Sequence, residues 1–96
     1  MRIKPEEIEL RGNWIVKDAV VDEDETCRRI EWLARNCLEK LKSDNAGWSV
    51  LYRDPDDGRY WELTYPQSEM HGGGPPVLLE ISEETAKSRY GRDIDV

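Results

Sequence analysis

Few residue types in this chain have the chemistry for catalysis, and none stands in a committed arrangement. The single histidine, His71, directly precedes Gly72, Gly73 and Gly74. His-Gly-Gly-Gly matches in letters the oxyanion-hole loop of some esterases, but the nucleophile elbow Gly-x-Ser-x-Gly is absent. The chain is also far too short for that hydrolase fold. Nor is the triplet a phosphate loop, because no Lys-Ser or Lys-Thr follows at the required spacing. A glycine run equally suits a loop that passes close to another backbone. His71 has only Glu69 as a nearby acid, and a metal site needs several convergent ligands, so no metal or other cofactor is expected. Glu62 is the one acid worth considering for glycoside chemistry, because Tyr60 and Trp61 beside it could desolvate it. The plainer reading is a strand-face glutamate paired with a cross-strand arginine such as Arg53. The expectation is a protein that is not an enzyme.

These residues need elements to position them. Residues 8–16 alternate, with Ile8, Leu10, Trp14 and Val16 on one face and Glu9, Arg11 and Asn13 on the other, as in a half-buried strand. Gly12 interrupts it at a bulge or bend. Lys17 to Ala19 reads as a turn, with Val20 and Val21 returning. A helix is predicted from Asp24 to Lys42. Acids from Asp22 to Glu25 crowd its start and Lys40 and Lys42 its end, the signs that the helix dipole prefers. Cys27, Ile30, Ala34, Cys37, Leu38 and Leu41 form its apolar stripe, with Leu33 at the edge. Trp32 falls on the opposite, charged face, either under a loop or available to a partner.

Two alternating runs around Trp48–Arg53 and Arg59–Tyr65 flank Asp54-Pro55-Asp56-Asp57-Gly58, a strong turn signal, and predict a β-hairpin that Pro66 ends. Val77–Ile81 reads as another strand. Ser82 then caps a last helix, Glu83 and Glu84 lie in its first turn, and Gly91 stops it. The expected fold is α+β: an antiparallel sheet of three to five strands, one long helix on a face, and a short C-terminal helix. The helix stripe should cover the side of the sheet bearing Trp14, Trp48 and Trp61. Residues 1–96 form a single domain, ordered over about 10–90, with a frayed tail at 92–96.

The 96 residues suit one domain. Phenylalanine is absent, so four Trp and four Tyr must carry much of the core, each burying roughly 150–250 Å². Acids outnumber bases 21 to 14, for a net charge of −7. That balance argues against direct nucleic-acid binding, which needs a basic stripe to displace counterions. It favours a basic protein partner, although solubility alone explains many acidic chains. On one helix, Cys27 and Cys37 would lie about 15 Å apart, beyond the reach of a disulfide. With no leader-like segment and no apolar run long enough to span a membrane, the expected location is cytoplasmic.

A more specific pattern runs through the chain. Gly47-Trp48, Asp54-Pro55-Asp56-Asp57-Gly58-Arg59, Trp61-Glu62-Leu63, Tyr65-Pro66 and His71-Gly72-Gly73-Gly74-Pro75-Pro76 occur in that order, after Gly12-x-Trp14 and Cys27-Arg28-Arg29-Ile30. Together they resemble the immunity protein 27 family of bacterial polymorphic-toxin systems. The resemblance implies a small α+β protein that binds a cognate toxin domain non-covalently and protects the producing cell without catalysis. A basic nuclease would suit an acidic inhibitor, by analogy alone. The motif residues Gly47, Gly58, Pro66, Gly72, Gly73, Gly74, Pro75 and Pro76 read as backbone devices, and Trp14, Trp48 and Trp61 as core. Toxin contacts are expected on Asp22, Glu23, Asp24 and Glu25 at the helix start, on Asp54, Asp56 and Asp57 at the hairpin tip, and on Trp32. The chain is expected to act as a monomer or weak homodimer. The alternative is a small acidic secretion chaperone or adaptor, which would bind an unfolded client segment.

Overall fold

Asp24 decides where the long helix begins. In the computed structural model, which describes residues 2–17, 20–43, 49–65 and 75–94 with side chains at all of these except 14–17 and 20–23, its carboxylate accepts the Cys27 backbone N–H at 2.8 Å. That bond satisfies a donor of the first turn that has no partner within the helix. The helix, α1, spans Glu25–Asn36. Before it lie the strands β1 (Glu9–Arg11), β2 (Trp14–Lys17) and β3 (Val20–Glu23). After it come β4 (Glu39–Ser43), β5 (Ser49–Arg53), β6 (Tyr60–Thr64), β7 (Val77–Ile81) and the helix α2 (Glu83–Tyr90).

Five strands form one sheet in the order β1-β7-β6-β5-β4, and β2 and β3 form a separate two-stranded ribbon. Every pairing is antiparallel. The fold is therefore α+β, as the sequence pattern predicts. Strand alternation sends Trp61, Leu63, Tyr52 and Leu78 to one face, where Ile30 and Leu33 of α1 join Leu10 and Leu38 in the main core. Leu51 and Tyr60 occupy the other face and pack with Ala86 of α2 and with Ile94. Burying each large side chain of this kind contributes about 1.5–3 kcal/mol.

Several expectations need correction. The helix ends at Asn36, not Lys42. The Cys37 and Leu38 backbone N–H groups both turn back to the Leu33 carbonyl, and the next residues, Glu39 to Ser43, pair with β5 instead. The apolar pattern at 37, 38 and 41 has the helical period, but the ladder with β5 outweighs local helix propensity. Lys40 and Lys42 therefore sit on an edge strand. Leu33, at the edge of the stripe, is fully buried. The stretch 8–16 is two strands in two sheets, and Ile8 is 64% exposed although Leu10 is buried. Within the stretch expected as a tail, Ile94 is fully buried. The side chain of Trp14, and all of Trp48, lie outside the described residues, so only Trp61 of the three tryptophans is placed in the core.

Gly12 marks the break between β1 and β2 for a steric reason. Its backbone N–H donates to the Pro76 carbonyl at 2.9 Å. A Cβ there would lie 2.5 Å from the Cys27 Sγ and 3.0 Å from that carbonyl oxygen. Three chain segments thus meet where only a hydrogen fits. Neither Cys27 nor Cys37 is in a disulfide.

Candidate functional site

Of the acids at the start of α1, Asp24 has a structural role. Asp24 closes the root of the β2–β3 ribbon as well as capping the helix. Its carboxylate accepts the Asn13 N–H at 3.1 Å, and its own N–H donates to the Asn13 carbonyl at 3.1 Å. Partial burial pushes this carboxyl up, but hydrogen bonds from Cys27, Asn13 and Thr26 outweigh it and hold it below the usual carboxylate range. Glu25, one residue on, is exposed and forms no ion pair among the described residues. Asp22 and Glu23 lie on β3, with side chains outside the described set. Trp32 is 36% exposed on the outer face of α1, seven residues beyond Glu25 and so about 10 Å along the axis. Glu31 beside it is exposed too, and forms no ion pair among the described residues.

The acids of the β5–β6 hairpin tip are used internally. Asp54, expected on the surface, is buried at 6% exposure. Its carboxylate accepts the Asp56 N–H at 2.9 Å, and its main chain pairs with Arg59 and Gly58. This is a side chain acting as part of a turn. Gly58 has φ of 79°, the left-handed conformation that glycine takes without strain. Asp56 pairs with Arg2. Asp57 accepts from the Arg59 backbone N–H at 3.0 Å and from its Nε at 2.7 Å. Partial burial raises the Asp57 carboxyl, but those two bonds and the guanidinium charge bring it below the usual range.

Two arginines strap the N-terminal segment to this framework. Arg29 of α1 grips Glu7 through both guanidinium nitrogens, at 2.7 and 2.6 Å, and also donates to the Arg2 carbonyl. The Arg29 hydrogen bonds hold the Glu7 carboxyl down at about 2. Arg59 donates to the Glu7 carbonyl at 2.7 Å and the Lys4 carbonyl at 3.1 Å, with its guanidinium 4.9 Å from the Trp61 ring centre. Nothing in the sequence signals these contacts, which join residues far apart in the chain.

Trp61 and Glu62 are adjacent and face opposite ways. Trp61 is fully buried under α1. Glu62, 5% exposed, lies on the α2 side. It accepts from Arg89 and, at 2.7 Å, from the Tyr90 hydroxyl. The cross-strand partner expected for it, Arg53, pairs with Glu39 instead. Ser49, Thr64, Arg89 and Tyr90 line an open cleft of about 350 Å³ over Glu62. With its oxygens engaged by a guanidinium and a phenol, Glu62 is arranged as the latch of α2 to the sheet. Among the described residues no three His, Cys, Asp or Glu side chains converge as metal ligands. His71 lies outside the described residues.

The sequence profile of immunity protein 27 matches residues 16–82. The chain belongs to the immunity protein 27 family. Comparison with curated proteins and with solved structures finds no match. Membership places the protein in toxin immunity, and the matched span runs from β2 to the cap of α2. Of the immunity protein 27 motif residues, Gly58 turns the hairpin tip, Trp61 fills the core and Glu62 secures α2, while Pro75 and Pro76 are buried, Pro76 against Gly12. Gly47, Pro66, Gly72, Gly73 and Gly74 lie outside the described residues. No helix among the described residues is long and apolar enough to cross a membrane.

Proposed function

We propose that this chain neutralises a cognate toxin domain by occupying it stoichiometrically, without catalysis, through the surface around the start of α1. The observation that carries this reading is the family match. The arrangement of the acids supports the location. Asp54, Asp56 and Asp57 are already engaged by the chain's own main chain and arginines, so the hairpin tip contributes long-range attraction more than contact. Glu25 and Trp32, with Asp22 and Glu23 on the adjoining strand and Asp24 beneath them, form the contact surface. A half-exposed tryptophan ringed by polar side chains is the usual form of an interface anchor. Carboxylates around it would draw in a basic domain and raise its association rate. A toxin that binds nucleic acid has such a surface, which makes a basic nuclease the preferred target class. The cytoplasm, where such a toxin acts, is the matching site of action.

The test is co-expression with the toxin domain encoded beside this gene. The wild-type chain should restore growth, and reversal of Glu25 together with Trp32→Ala should lower protection without unfolding the protein. Full protection by that double variant would move the interface elsewhere.

A further inference from the structure

Both strands of the β2–β3 ribbon are edge strands among the described residues. Its register pairs Trp14 with Glu23, Ile15 with Asp22, Val16 with Val21 and Lys17 with Val20. At its root, Asp24 donates to the Asn13 carbonyl. Antiparallel pairs alternate between hydrogen-bonded and non-hydrogen-bonded. Counting from Asn13–Asp24, the pairs 15–22 and 17–20 direct their main-chain groups inward. Val21 and Glu23 on β3, and Trp14 and Val16 on β2, direct theirs outward. No described strand pairs with either outer edge.

An isolated two-stranded ribbon is marginal in water, and exposed N–H and C=O groups are a template for another strand. The other edges of the molecule are protected. β4 carries Lys40 and Lys42 with a register shift between them, and β1 is only three residues long. β2 carries Lys17. The β3 edge instead runs into four consecutive acids, Asp22 to Glu25.

We propose that an extended, Lys- or Arg-bearing segment of the toxin domain adds to the outer edge of β3 as a third strand, bonding the main-chain groups of Val21 and Glu23. This rests on the toxin-binding reading and specifies how the surface near α1 is engaged. Opposite charges facing across strands favour a basic segment, and acidic segments are repelled.

Proline tests this selectively, since an edge strand tolerates it where the N–H points outward. Val21→Pro removes an outward donor and leaves the ribbon's own bonds in place; Val16→Pro does the same on the β2 edge. The probe is the toxin domain encoded beside this gene, with affinity measured by calorimetry and amide exchange followed on the wild-type complex. Val21→Pro should keep the far-ultraviolet dichroism of the wild type and lose at least about tenfold in affinity. Val16→Pro should bind normally. On the wild type, the Val21 and Glu23 amides should exchange more slowly when the toxin is bound. Unchanged exchange at both amides, or a folded Val21→Pro chain that binds like wild type, overturns strand addition while leaving neutralisation by binding intact. Loss of affinity only in Val16→Pro overturns the choice of edge. A wild-type chain that does not bind this domain overturns both readings.

Discussion

Glu7→Gln should destabilise the protein at neutral pH and have almost no effect in strong acid. Both Glu7 oxygens accept from Arg29, and both side chains are about one-fifth exposed. The Glu7 carboxyl is held at about 2 in the folded chain against an ordinary 4.5. At about 1.4 kcal/mol per factor of ten, that difference sets a ceiling of roughly 3 kcal/mol. Solvent screening of a partly exposed pair reduces it to about 1–2 kcal/mol. Because the folded value is depressed, the contribution is fully present above pH 4.5 and fades as pH falls toward 2. Urea unfolding of wild type and Glu7→Gln at pH 7, 4 and 2.5 measures it. The difference between the two proteins should be about 1–2 kcal/mol at pH 7, and most of it should be gone at pH 2.5. For a chain of this size the neutral-pH loss corresponds to a thermal midpoint lower by roughly 5–15 °C. A difference that stays constant between pH 7 and 2.5 would show that the ion pair does not hold the N-terminal strap.

Three other outcomes follow from the packing. Gly12→Ala should cost about 1–3 kcal/mol by overpacking against the Cys27 Sγ and the Pro76 carbonyl, and Cys27→Ala in the same chain should recover part of it in denaturant melts. Glu62→Gln keeps a hydrogen-bond acceptor for Tyr90 and loses the ion pair with Arg89, so it should cost about 1 kcal/mol, whereas Glu62→Leu removes both the Arg89 and the Tyr90 hydrogen bonds and should cost more; amide exchange in α2 should rise in both variants. Trp32→Ala should change stability by no more than about 1 kcal/mol and weaken toxin binding at least about tenfold, as read by paired thermal melts and calorimetry.

The parts of the fold that were legible in the sequence are those set by local chemistry. Asp54-Pro55-Asp56-Asp57-Gly58 fixes a turn whatever surrounds it, and β5 and β6 meet across it with Arg53 opposite Tyr60. Ser82 caps α2 through the Thr85 N–H, and Gly91 ends it at φ of 98°. What stayed hidden depends on partners distant in the chain. The residues after Asn36 keep a helical apolar pattern, and only the ladder with β5 converts them to a strand. Leu38 remains in the main core, and Leu41 crosses to the other face. Ile94 lies near the chain end and follows a glycine stop, so local pattern points to solvent, yet the α2 side of the sheet needs it as a lid. In the candidate site, Trp32 was legible from helical phase alone. The engagement of Asp54, Asp56 and Asp57 was not, because an acid on a turn reads the same whether it faces water or caps its own backbone.

Titration of toxin activity at several fixed toxin concentrations is the most direct test of neutralisation by occupancy. Occupancy predicts that activity falls linearly and vanishes near one inhibitor per toxin, at an end point that scales with toxin concentration and does not drift with time. Progressive inactivation of excess toxin by a small fraction of this chain would show turnover and contradict the account.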